Sequence, residues 1–423
     1  MTNRISFDLT YILFWIIEGG YKTPNYNSMN RIDIDQLKNL MINLKLYIFV
    51  LYMKLAIVVG TRPEIIRLAC IIHEASKYFE TVLIHTGQNW DKNLKDIFFD
   101  QLKIRQPDYY LDVVGDHLGE TMGNIIKRSY EIFQSIKPDC LLILGDTNSG
   151  LCAISAKRLK IPIFHMEAGN RCFDQNVPEE INRKLIDHIS DVNLCYTINS
   201  KTYLLSEGFR KEHIFVTGTP LTEVLSFYKF DIETSDILSK LALTAKQYFV
   251  LSLHREENID NPNKLSILLD MINTIAEKYK KIIIFSVHPR TKQKLNSHNI
   301  KLHNLVRIMD PLGLLDYCKL QINAYCVLSD SGSLSEESCI LNFPAVSLRD
   351  STERPEAVDK GNIVLGNFYP ESVLNSINMA ISFHKGIKPI PYDYMDTNIS
   401  EKVLKIIQGY TPIINKVIWQ KSC

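Results

Sequence analysis

The sequence lacks the paired cysteines that mark zinc sites and disulfide frameworks. Its nine cysteines are scattered singly, as at Cys70, Cys140, Cys195 and Cys339, without a Cys-x-x-Cys pair or a Cys/His cluster at zinc spacing. An odd, dispersed set is typical of reduced thiols that serve as small buried side chains. The sequence therefore predicts a protein of a reducing compartment, the cytoplasm, with no metal site.

The chain also has little excess charge of either sign. It carries 48 Lys and Arg against 47 Asp and Glu, a formal net charge of +1. No global basic field is available to attract nucleic acid or an anionic membrane. Local arginines would have to hold an anionic small molecule instead.

Long apolar runs are missing as well. The runs at 11–17 and 46–53 are far shorter than the ~20 residues that a membrane span needs. The three parts of a signal peptide do not occur there in the required order. We expect residues 1–52 to be a poorly ordered extension, or an upstream start that is not used. A weak membrane or partner contact is the alternative, and no stable membrane insertion is predicted.

Two nucleotide-binding motifs are absent. The turn after the first predicted strand has no Gly-x-Gly-x-x-Gly, the usual NAD fingerprint. The chain also has no Gly-x-x-x-x-Gly-Lys-Ser/Thr, the loop that cradles nucleoside triphosphates. The sequence thus predicts no bound cofactor.

From Met53 onward, short apolar runs alternate with longer amphipathic segments, which is typical of parallel strands buried on both faces. The pattern occurs twice, which predicts an α/β fold of two doubly wound, Rossmann-like domains with a cleft between them. We place the domains at 53–225 and 226–398, with a linker at 226–246 and a helix at 399–423 that packs back across the junction. The predicted strands lie at 55–59, 82–85, 140–144, 163–166 and 214–216, and then at 249–253, 282–286, 326–328 and 345–347.

Two arginines follow the first predicted strand. Gly60 permits the tight turn that leaves the strand, and Pro63 suits the first turn of a helix. Arg62 and Arg67 then lie near a helix N-terminus, where backbone N–H groups already favour anions. The pair suits a diphosphate, and the alternative is a surface ion pair between Arg62 and Glu64.

Carboxylates follow two later strands of the first series. Asp146 comes directly after the strand at 140–144, where it could cap a helix or point into the cleft. His165 and Glu167 alternate at the next strand end, which predicts that they share one face of the sheet. Ligands of open parallel sheets bind beyond the carboxyl ends of the strands, so these side chains are candidates for chemistry.

The helix predicted to begin at Pro178 adds further charges. Glu179 and Arg183 are four residues apart and therefore neighbours on the helix surface. Glu180 is interpreted as a first-turn acid that complements the helix dipole. Glu167 at a strand end is thus followed by two more carboxylates, Glu179 and Glu180, at a helix start. This concentration of carboxylates favours a functional role for the cluster.

Strand ends of the second series carry polar residues too. His254 follows the strand at 249–253 and could act as an acid, a base or a phosphate donor. His288 is a weaker candidate of the same kind. The Ser-Gly-Ser segment at 331–333 precedes a helix, where small residues let backbone N–H groups reach a phosphate. Arg354 could complete a phosphate clamp.

Seven of these motifs occur in the order seen in the non-hydrolysing UDP-N-acetylglucosamine 2-epimerases, which the chain resembles from about Met53 to near its C-terminus. The resemblance implies the GT-B architecture and a homodimer. The motifs are Gly-Thr-Arg-Pro-Glu at 60–64, Gly-Asp-Thr at 145–147, Glu-Ala-Gly at 167–169, Pro-Glu-Glu at 178–180, His-Arg at 254–255, Asp-Ser-Gly at 330–332 and Thr-Glu-Arg-Pro-Glu-Ala at 352–357.

The resemblance also implies roles for particular residues. Asp146, Glu167 and Glu179 match the catalytic carboxylates of the family, and His254 matches its catalytic histidine. Arg67 stands where the family usually has lysine. The remaining positions match or adjoin contacts to UDP: Arg62 and Arg354 for the diphosphate, Ser331 and Glu337 for the diphosphate and ribose, Tyr317 beside the uracil, and Arg183, Gly332 and Ser333 as further binding residues.

One segment departs from the common pattern. The common 2-epimerases read Glu-Ala-Gly-Leu-Arg, whereas this chain has Asn170 in place of the leucine and continues Arg-Cys-Phe-Asp-Gln to 175. This version resembles the subgroup that acts on UDP-6-deoxy-L-hexosamines. The resemblance therefore implies a UDP-2-acetamido-2,6-dideoxy-L-hexose as the substrate, with UDP-GlcNAc/UDP-ManNAc epimerisation as the alternative.

The chemistry favours elimination. The C2–H of a hexose has no neighbouring carbonyl to acidify it, so the predicted route removes UDP from C1 and the proton from C2, and then reverses on the opposite face. Such a reaction needs carboxylates in different protonation states and cations for the departing diphosphate. A GT-B glycosyltransferase, a hydrolysing epimerase and a catalytically silent UDP-sugar-binding regulator are the other hypotheses.

Overall fold

The computed structural model describes residues 52–88, 98–253, 262–287 and 302–421, and in these residues the strands form two fully parallel sheets. The first sheet has the order β3-β2-β1-β4-β5-β6-β7. Its strands are β1 (Lys54–Val59), β2 (Glu80–His85), β3 (Tyr109–Tyr110), β4 (Cys140–Leu144), β5 (Ile163–Met166), β6 (Val192–Cys195) and β7 (Ile214–Val216).

The second sheet has the order β10-β9-β8-β11-β12-β13. Its strands are β8 (Tyr248–Leu253), β9 (Ile282–Val287), β10 (Val306–Met309), β11 (Cys326–Ser329), β12 (Ala345–Leu348) and β13 (Ile363–Gly366). In both sheets the strand order reverses beside the first strand of the series, which is the doubly wound arrangement. The predicted fold class is therefore confirmed.

Helices connect the strands, and short 3₁₀ turns lie at Asn148–Leu151, Lys211–His213 and Tyr392–Tyr394. The described helices are α1 (Arg62–Ala75), α2 (Leu118–Ile136), α3 (Cys152–Arg158), α4 (Pro178–Ile189), α5 (Ile198–Ser206), α6 (Pro220–Phe227), α7 (Lys229–Thr234), α8 (Ile237–Lys240), α9 (Pro262–Tyr279), α10 (Leu314–Asn323), α11 (Ser333–Leu341), α12 (Pro355–Asp359), α13 (Pro370–Phe383) and α14 (Ile399–Val417).

The burial of β1 shows why its sequence is continuously apolar. Leu55, Ile57 and Val59 lie in one buried cluster, whereas Ala56 and Val58 lie in another on the opposite face. Strand β8 divides its residues between two clusters in the same way. Both faces of each sheet are thus covered, which explains the apolar runs of the central strands and places most polar side chains at the strand ends, with buried exceptions such as His165 and Asn193.

Four strands were not predicted, for a physical reason. β3 and β10 are sheet edges with exposed residues such as Arg307, and β6 carries a buried Asn193 in its middle. β13 ends in Gly366, a poor strand former. β3, β6 and β10 lack the unbroken apolar run that marks a central strand, whereas β13 has a run of only three apolar residues before its glycine.

The chain returns after the second sheet to pack on the first. Ile399, Val403 and Ile407 of α14 belong to the apolar cluster that includes α1. The backbone N–H of Ser400 donates to Glu223 of α6 at 2.9 Å. The residues from Met53 onward form one compact unit. The domain boundaries at 225 and 398 remain a prediction, and residues 226–246 include α7 and α8.

Among the described residues, no helix is both long and apolar enough to cross a bilayer.

Candidate active site

The turn between β1 and α1 is built around Glu64. Its buried carboxylate accepts hydrogen bonds from the backbone N–H groups of Gly60 and Thr61 and from the hydroxyl of Thr147. A Cβ at Gly60 would lie 2.1 Å from the hydroxyl oxygens of two neighbouring side chains, so the turn requires glycine. Glu64 therefore joins the end of β1 to the end of β4.

Burial raises the pKa of Glu64 to about 7, against the opposing effect of its three hydrogen bonds. The negative charge of Asp146 adds to the rise. A buried carboxyl that titrates near neutrality at a strand end is a candidate functional group that the sequence prediction missed. The available signal was the Thr61-x-x-Glu64 spacing of a capping box directly after a strand.

The raised pKa of Glu64 makes a prediction about stability. The folded chain keeps this proton up to about pH 7, whereas the unfolded chain releases it near 4.5. Stability from this group is present below pH 4.5 and is lost as the pH rises towards 7, by about 3 kcal/mol. We expect Glu64→Gln to lose less free energy of unfolding between pH 5 and pH 7 than the unaltered chain does.

Urea denaturation of both proteins at the two pH values measures this difference. Other buried carboxyls with raised pKa values, Glu223 and Glu337, are common to both proteins and cancel in the comparison. Parallel pH profiles for the two proteins would show that Glu64 does not titrate in this range.

Asp146, at the end of β4, is held by Arg183. Its carboxylate accepts from Arg183 Nε at 3.0 Å and also from Nη2 of the same guanidinium. Asn182, on the same helix, donates to the Asp146 backbone carbonyl at 3.0 Å. Helix α4 thus fixes both the backbone and the side chain of Asp146, and Asp146 is not used as a simple helix cap.

Helix α4 also differs in detail from its prediction. Arg183 donates to Glu180 at 2.8 Å, and the Glu180 carboxylate accepts from the backbone N–H groups of Cys172 and Phe173. The interpretation of Glu180 as only a first-turn acid was therefore wrong, because it also ties the loop after β5 to α4. Glu179 lies exposed at the start of the same helix.

Glu167 lies just beyond β5 with φ at 63°, in the left-handed region. Few residues other than glycine adopt this conformation, and it costs of order 1–3 kcal/mol. The prediction that His165 and Glu167 share a face was wrong, because the extended backbone ends at Met166. His165 is instead fully buried, with Nε2 2.8 Å from the Gly145 carbonyl oxygen.

The Glu167 carboxylate is bound from two directions. Its Oε1 accepts from Arg354 Nη2 at 2.6 Å and from Asn170 Nδ2 at 3.2 Å. Its Oε2 lies 3.9 Å from Arg67 Nε. Arg354 comes from the loop after β12, whereas Arg67 comes from α1, so residues following strands of both sheets converge on Glu167.

Glu336 of α11 is the second carboxylate that these arginines share. Its oxygens accept from Arg67 Nη1 at 2.8 Å, from Arg67 Nη2 at 2.6 Å and from Arg354 Nε at 2.6 Å. The hydroxyl of Thr219 also donates to it. Although burial opposes ionisation, the two guanidinium groups lower the pKa of Glu336 to about 2. An ionised, fully buried carboxylate thus joins the two sheets.

Glu353 connects Arg183 and Arg349 to the network that Arg67, Arg354, Glu167 and Glu336 form. Its Oε1 accepts from Arg349 Nη2 at 2.6 Å, and its carboxylate lies 3.9 Å from Arg183 and 4.0 Å from Arg354. Burial opposes ionisation here too, but Arg349 and the other arginines hold the pKa of Glu353 at about 2. Asp146 and Glu167, predicted from separate motifs, are therefore linked through Arg183, Glu353 and Arg354.

Gly332 lies against this network. A Cβ at Gly332 would lie 2.8 Å from Arg354 Nη1 and 3.2 Å from Arg349 Nη1. The predicted residues Ser331 and Ser333 flank it, with their hydroxyl oxygens 3.0 Å apart. Small residues at the N-terminus of α11 thus leave the backbone open beside two guanidinium groups, an arrangement that suits a phosphate.

The other predicted residues are more dispersed. Glu337 accepts from Gln321 at 2.6 Å, and burial raises its pKa. Tyr317, on the same helix as Gln321, is partly buried. Arg62 lies over the ring of Phe98, with its guanidinium carbon 6.0 Å from the ring centroid.

The structure therefore brings eight predicted residues into one connected region: Asp146, Glu167, Arg67, Arg183, Ser331, Gly332, Ser333 and Arg354. His254 lies outside the described residues, as does the weaker candidate His288. The network also contains charged residues that were not predicted as site residues, among them Glu64, Glu336, Arg349 and Glu353.

Comparison with known proteins places this arrangement in a family. The model of the UDP-N-acetylglucosamine 2-epimerase family matches residues 72–408. A UDP-N-acetylglucosamine 2-epimerase of Methanococcus maripaludis is 40% identical over 343 residues, which span 78% of this chain and 93% of the relative.

Solved structures agree with the sequence match. The UDP-N-acetylglucosamine 2-epimerase of Rickettsia bellii superposes with a TM-score of 0.82 at 44% identity, covering 88% of this chain and all of that one. The enzyme of Methanocaldococcus jannaschii, solved with UDP-GlcNAc and UDP, gives a TM-score of 0.80 at 36% identity over 84% of this chain and all of that one. The GT-B fold and the family resemblance are thereby confirmed, and the chain belongs to the UDP-N-acetylglucosamine 2-epimerase family of isomerases.

Proposed function

We propose that this chain inverts C2 of a UDP-linked N-acetylhexosamine by eliminating UDP and adding it back. The observation that carries the proposal is the convergence of Asp146 and Glu167 with Arg67 and Arg354 at the strand ends of the two sheets. Carboxylates supply proton transfer, and buried guanidinium groups stabilise a departing diphosphate.

The reaction balances without an added reagent. One carboxylate takes the proton from C2, the C1–O bond to UDP breaks with its electron pair, and a C1–C2 double bond forms. UDP then returns to C1 while a second acid delivers a proton to the opposite face of C2. Asp146 is bound by Arg183 and Glu167 by Arg354, so the two carboxylates are held at separate positions, and the proposal assigns them separate roles.

The diphosphate is proposed to lie between Gly332 and the arginines around it. Arg354 Nη1 and Arg349 Nη1 are the groups nearest to the space above this glycine. Glu336 already neutralises part of the charge of Arg67 and Arg354 and holds both in place before substrate binds. This preorganisation would spare the cost of ordering two long side chains when UDP binds.

Proton NMR of the purified chain with UDP-GlcNAc in D2O tests the reaction. We expect interconversion with the C2-epimer, replacement of the C2 proton by deuterium, and traces of free UDP with the 2-acetamidoglycal. Turnover that keeps the original C2 proton would refute elimination. Sugar transfer to an acceptor or release of free sugar would favour the glycosyltransferase or the hydrolysing epimerase, and binding without any exchange would favour the regulator.

A narrower substrate is supported by the segment at 170–175. This segment resembles that of enzymes acting on UDP-6-deoxy-L-hexosamines, and Asn170 contacts Glu167 directly. We therefore propose a UDP-2-acetamido-2,6-dideoxy-L-hexose as the preferred substrate. The same NMR assay compares its kcat/KM with that of UDP-GlcNAc, and a higher value for UDP-GlcNAc would overturn this preference.

A homodimer in the cytoplasm completes the proposal. The family resemblance supports the dimer, which light scattering at several protein concentrations would detect as twice the chain mass. The eight cysteines of the described ranges are unpaired, and seven of them are buried, in keeping with a reducing compartment.

A further inference from the structure

Asn170 occupies a buried position between Glu167 and helix α5. It is 4% exposed, and its Nδ2 donates to Glu167 Oε1 at 3.2 Å. Its other amide atom, Oδ1, accepts from the hydroxyl of Ser200 at 2.8 Å. Since an ionised carboxylate can only accept, the amide N–H group must face Glu167, and Oδ1 is left to accept from the Ser200 hydroxyl, which could bond either end of the amide.

Ser200 is itself held in place. Its backbone N–H donates to Thr197 Oγ1 at 3.2 Å, at the N-cap of α5. The Thr197 hydroxyl donates in turn to Glu356 Oε1 at 2.6 Å. Glu356 belongs to α12, which follows β12 of the second sheet. Glu356 and Thr197 thus connect Ser200 to the second sheet. The hydroxyl of Ser200 extends this connection to Asn170, in the loop after β5.

Glu167 needs such support because its own backbone is strained. Its φ of 63° breaks the extended backbone of β5, and the pairing of β5 with β4 and β6 ends one residue earlier, at Met166. The charged and titratable groups around its carboxylate are Arg354, Arg67 and Tyr196. Asn170 adds an uncharged donor that shares Oε1 with Arg354.

From these contacts we propose that Asn170 is a positioning residue that sets the orientation of the Glu167 carboxylate, and that Ser200 acts through Asn170. The inference rests on the proposed function, in which Glu167 transfers a proton. A leucine at position 170 has a similar size but offers no donor, so the amide adds a restraint that the common Glu-Ala-Gly-Leu-Arg sequence lacks. Asn170 is not proposed to contact the substrate.

Asn170→Leu provides the main test. We expect kcat for C2 exchange to fall about tenfold, since a hydrogen bond to a charged group is worth roughly that factor. KM should stay within about threefold of the original, because substrate binding is assigned to other residues. UDP affinity, measured by calorimetry, should be unchanged. A purely structural role would instead lower the amount of folded enzyme and leave kcat per folded molecule unaltered.

A double-mutant cycle tests whether Ser200 acts through Asn170. Ser200→Ala should lower kcat less than Asn170→Leu does, because the amide remains but is free to turn. Once Asn170 is replaced, removing the Ser200 hydroxyl should have no further effect on kcat. Ser155→Ala is the matched control, since Ser155 is an equally buried serine that hydrogen-bonds to Ser129 and α2. Additive losses from Ser200→Ala and Asn170→Leu would overturn the proposal.

Crystal structures separate this inference from the proposed function. If the unaltered chain exchanges no C2 proton with any UDP-N-acetylhexosamine, the proposed function fails. The structure of Asn170→Leu then still decides the positioning role. We expect the Glu167 carboxylate to rotate away from its present position while the backbone at 167–171 stays in place. An unchanged Glu167 side chain in that variant would overturn the inference whatever the activity.

Discussion

Glu167→Gln is expected to reduce kcat for C2 exchange by about 100-fold or more, the usual contribution of a general acid or base. Glutamine has nearly the same shape, and its oxygen can still accept from Arg354 and Asn170, which now donate to Glu167 Oε1. The variant therefore loses proton transfer while keeping both contacts. The deuterium-exchange NMR assay measures kcat, and circular dichroism checks the fold.

Glu223→Gln is the matched control for this prediction. Glu223 is a partly buried glutamate of α6 whose carboxylate accepts from Ser400, away from the strand-end network. The control should retain the original kcat. A Glu167→Gln variant that exchanges C2 protons at the original rate would remove Glu167 from the reaction and leave Asp146 and Glu179 as the remaining described candidates.

Glu336→Ala is expected to give the largest loss of stability, about 3–5 kcal/mol in the free energy of unfolding. Glu336 is fully buried and binds Arg67 and Arg354 together, so its removal leaves two guanidinium groups in a low-dielectric interior without their shared partner. Urea denaturation near pH 7 measures this loss. The variant should also bind UDP more weakly, because both arginines lose their fixed positions.

Two comparisons make this prediction specific. Glu401→Ala removes an exposed glutamate paired with Lys405 on α14, and should leave the denaturation midpoint unchanged. The pKa of Glu336 lies below its ordinary value, so its contribution is present above about pH 4.5 and is lost as the pH falls towards 2. The difference between the unaltered chain and Glu336→Ala should therefore shrink in acid. Equal stability of the two proteins near pH 7 would contradict the assigned role of the network.

Much of the fold could be read from residue patterns, because burial on both faces imposes an unbroken apolar run. Strands β1, β4 and β8 were predicted within a residue or so of their ends. The edge strands β3 and β10 were not predicted, because residues of an edge strand that face water do not have to be apolar. The end of β5 was misjudged for a different reason: nothing in Met166-Glu167 shows that the backbone turns left-handed there.

The candidate site, like the fold, was predicted from the sequence only in part. Arg67, Asp146 and Arg354 were proposed because each is a charged residue directly after a strand or in the helix that follows it, where parallel sheets collect their ligands. No strand-end position marks Glu336, because it lies inside α11. Its sequence position is that of any glutamate in the first turn of a helix. From the sequence alone Glu64 is only a possible surface partner of Arg62, because its burial depends on Thr147, which follows β4.

The sequence by itself determined the α/β class, the strand ends where charged residues gather, and the family motifs that the comparisons later matched. These three features can be predicted from the local sequence, because the hydrophobic periodicity and the polar residues at strand ends each involve only a few consecutive residues. Only the tertiary structure decided which charges pair. Arg67 and Glu336 lie 269 positions apart. Their contact, the pKa of Glu336 and the binding of Glu167 by Arg354 exist because the two sheets bring distant strand ends into one low-dielectric region, where each buried charge must find a partner.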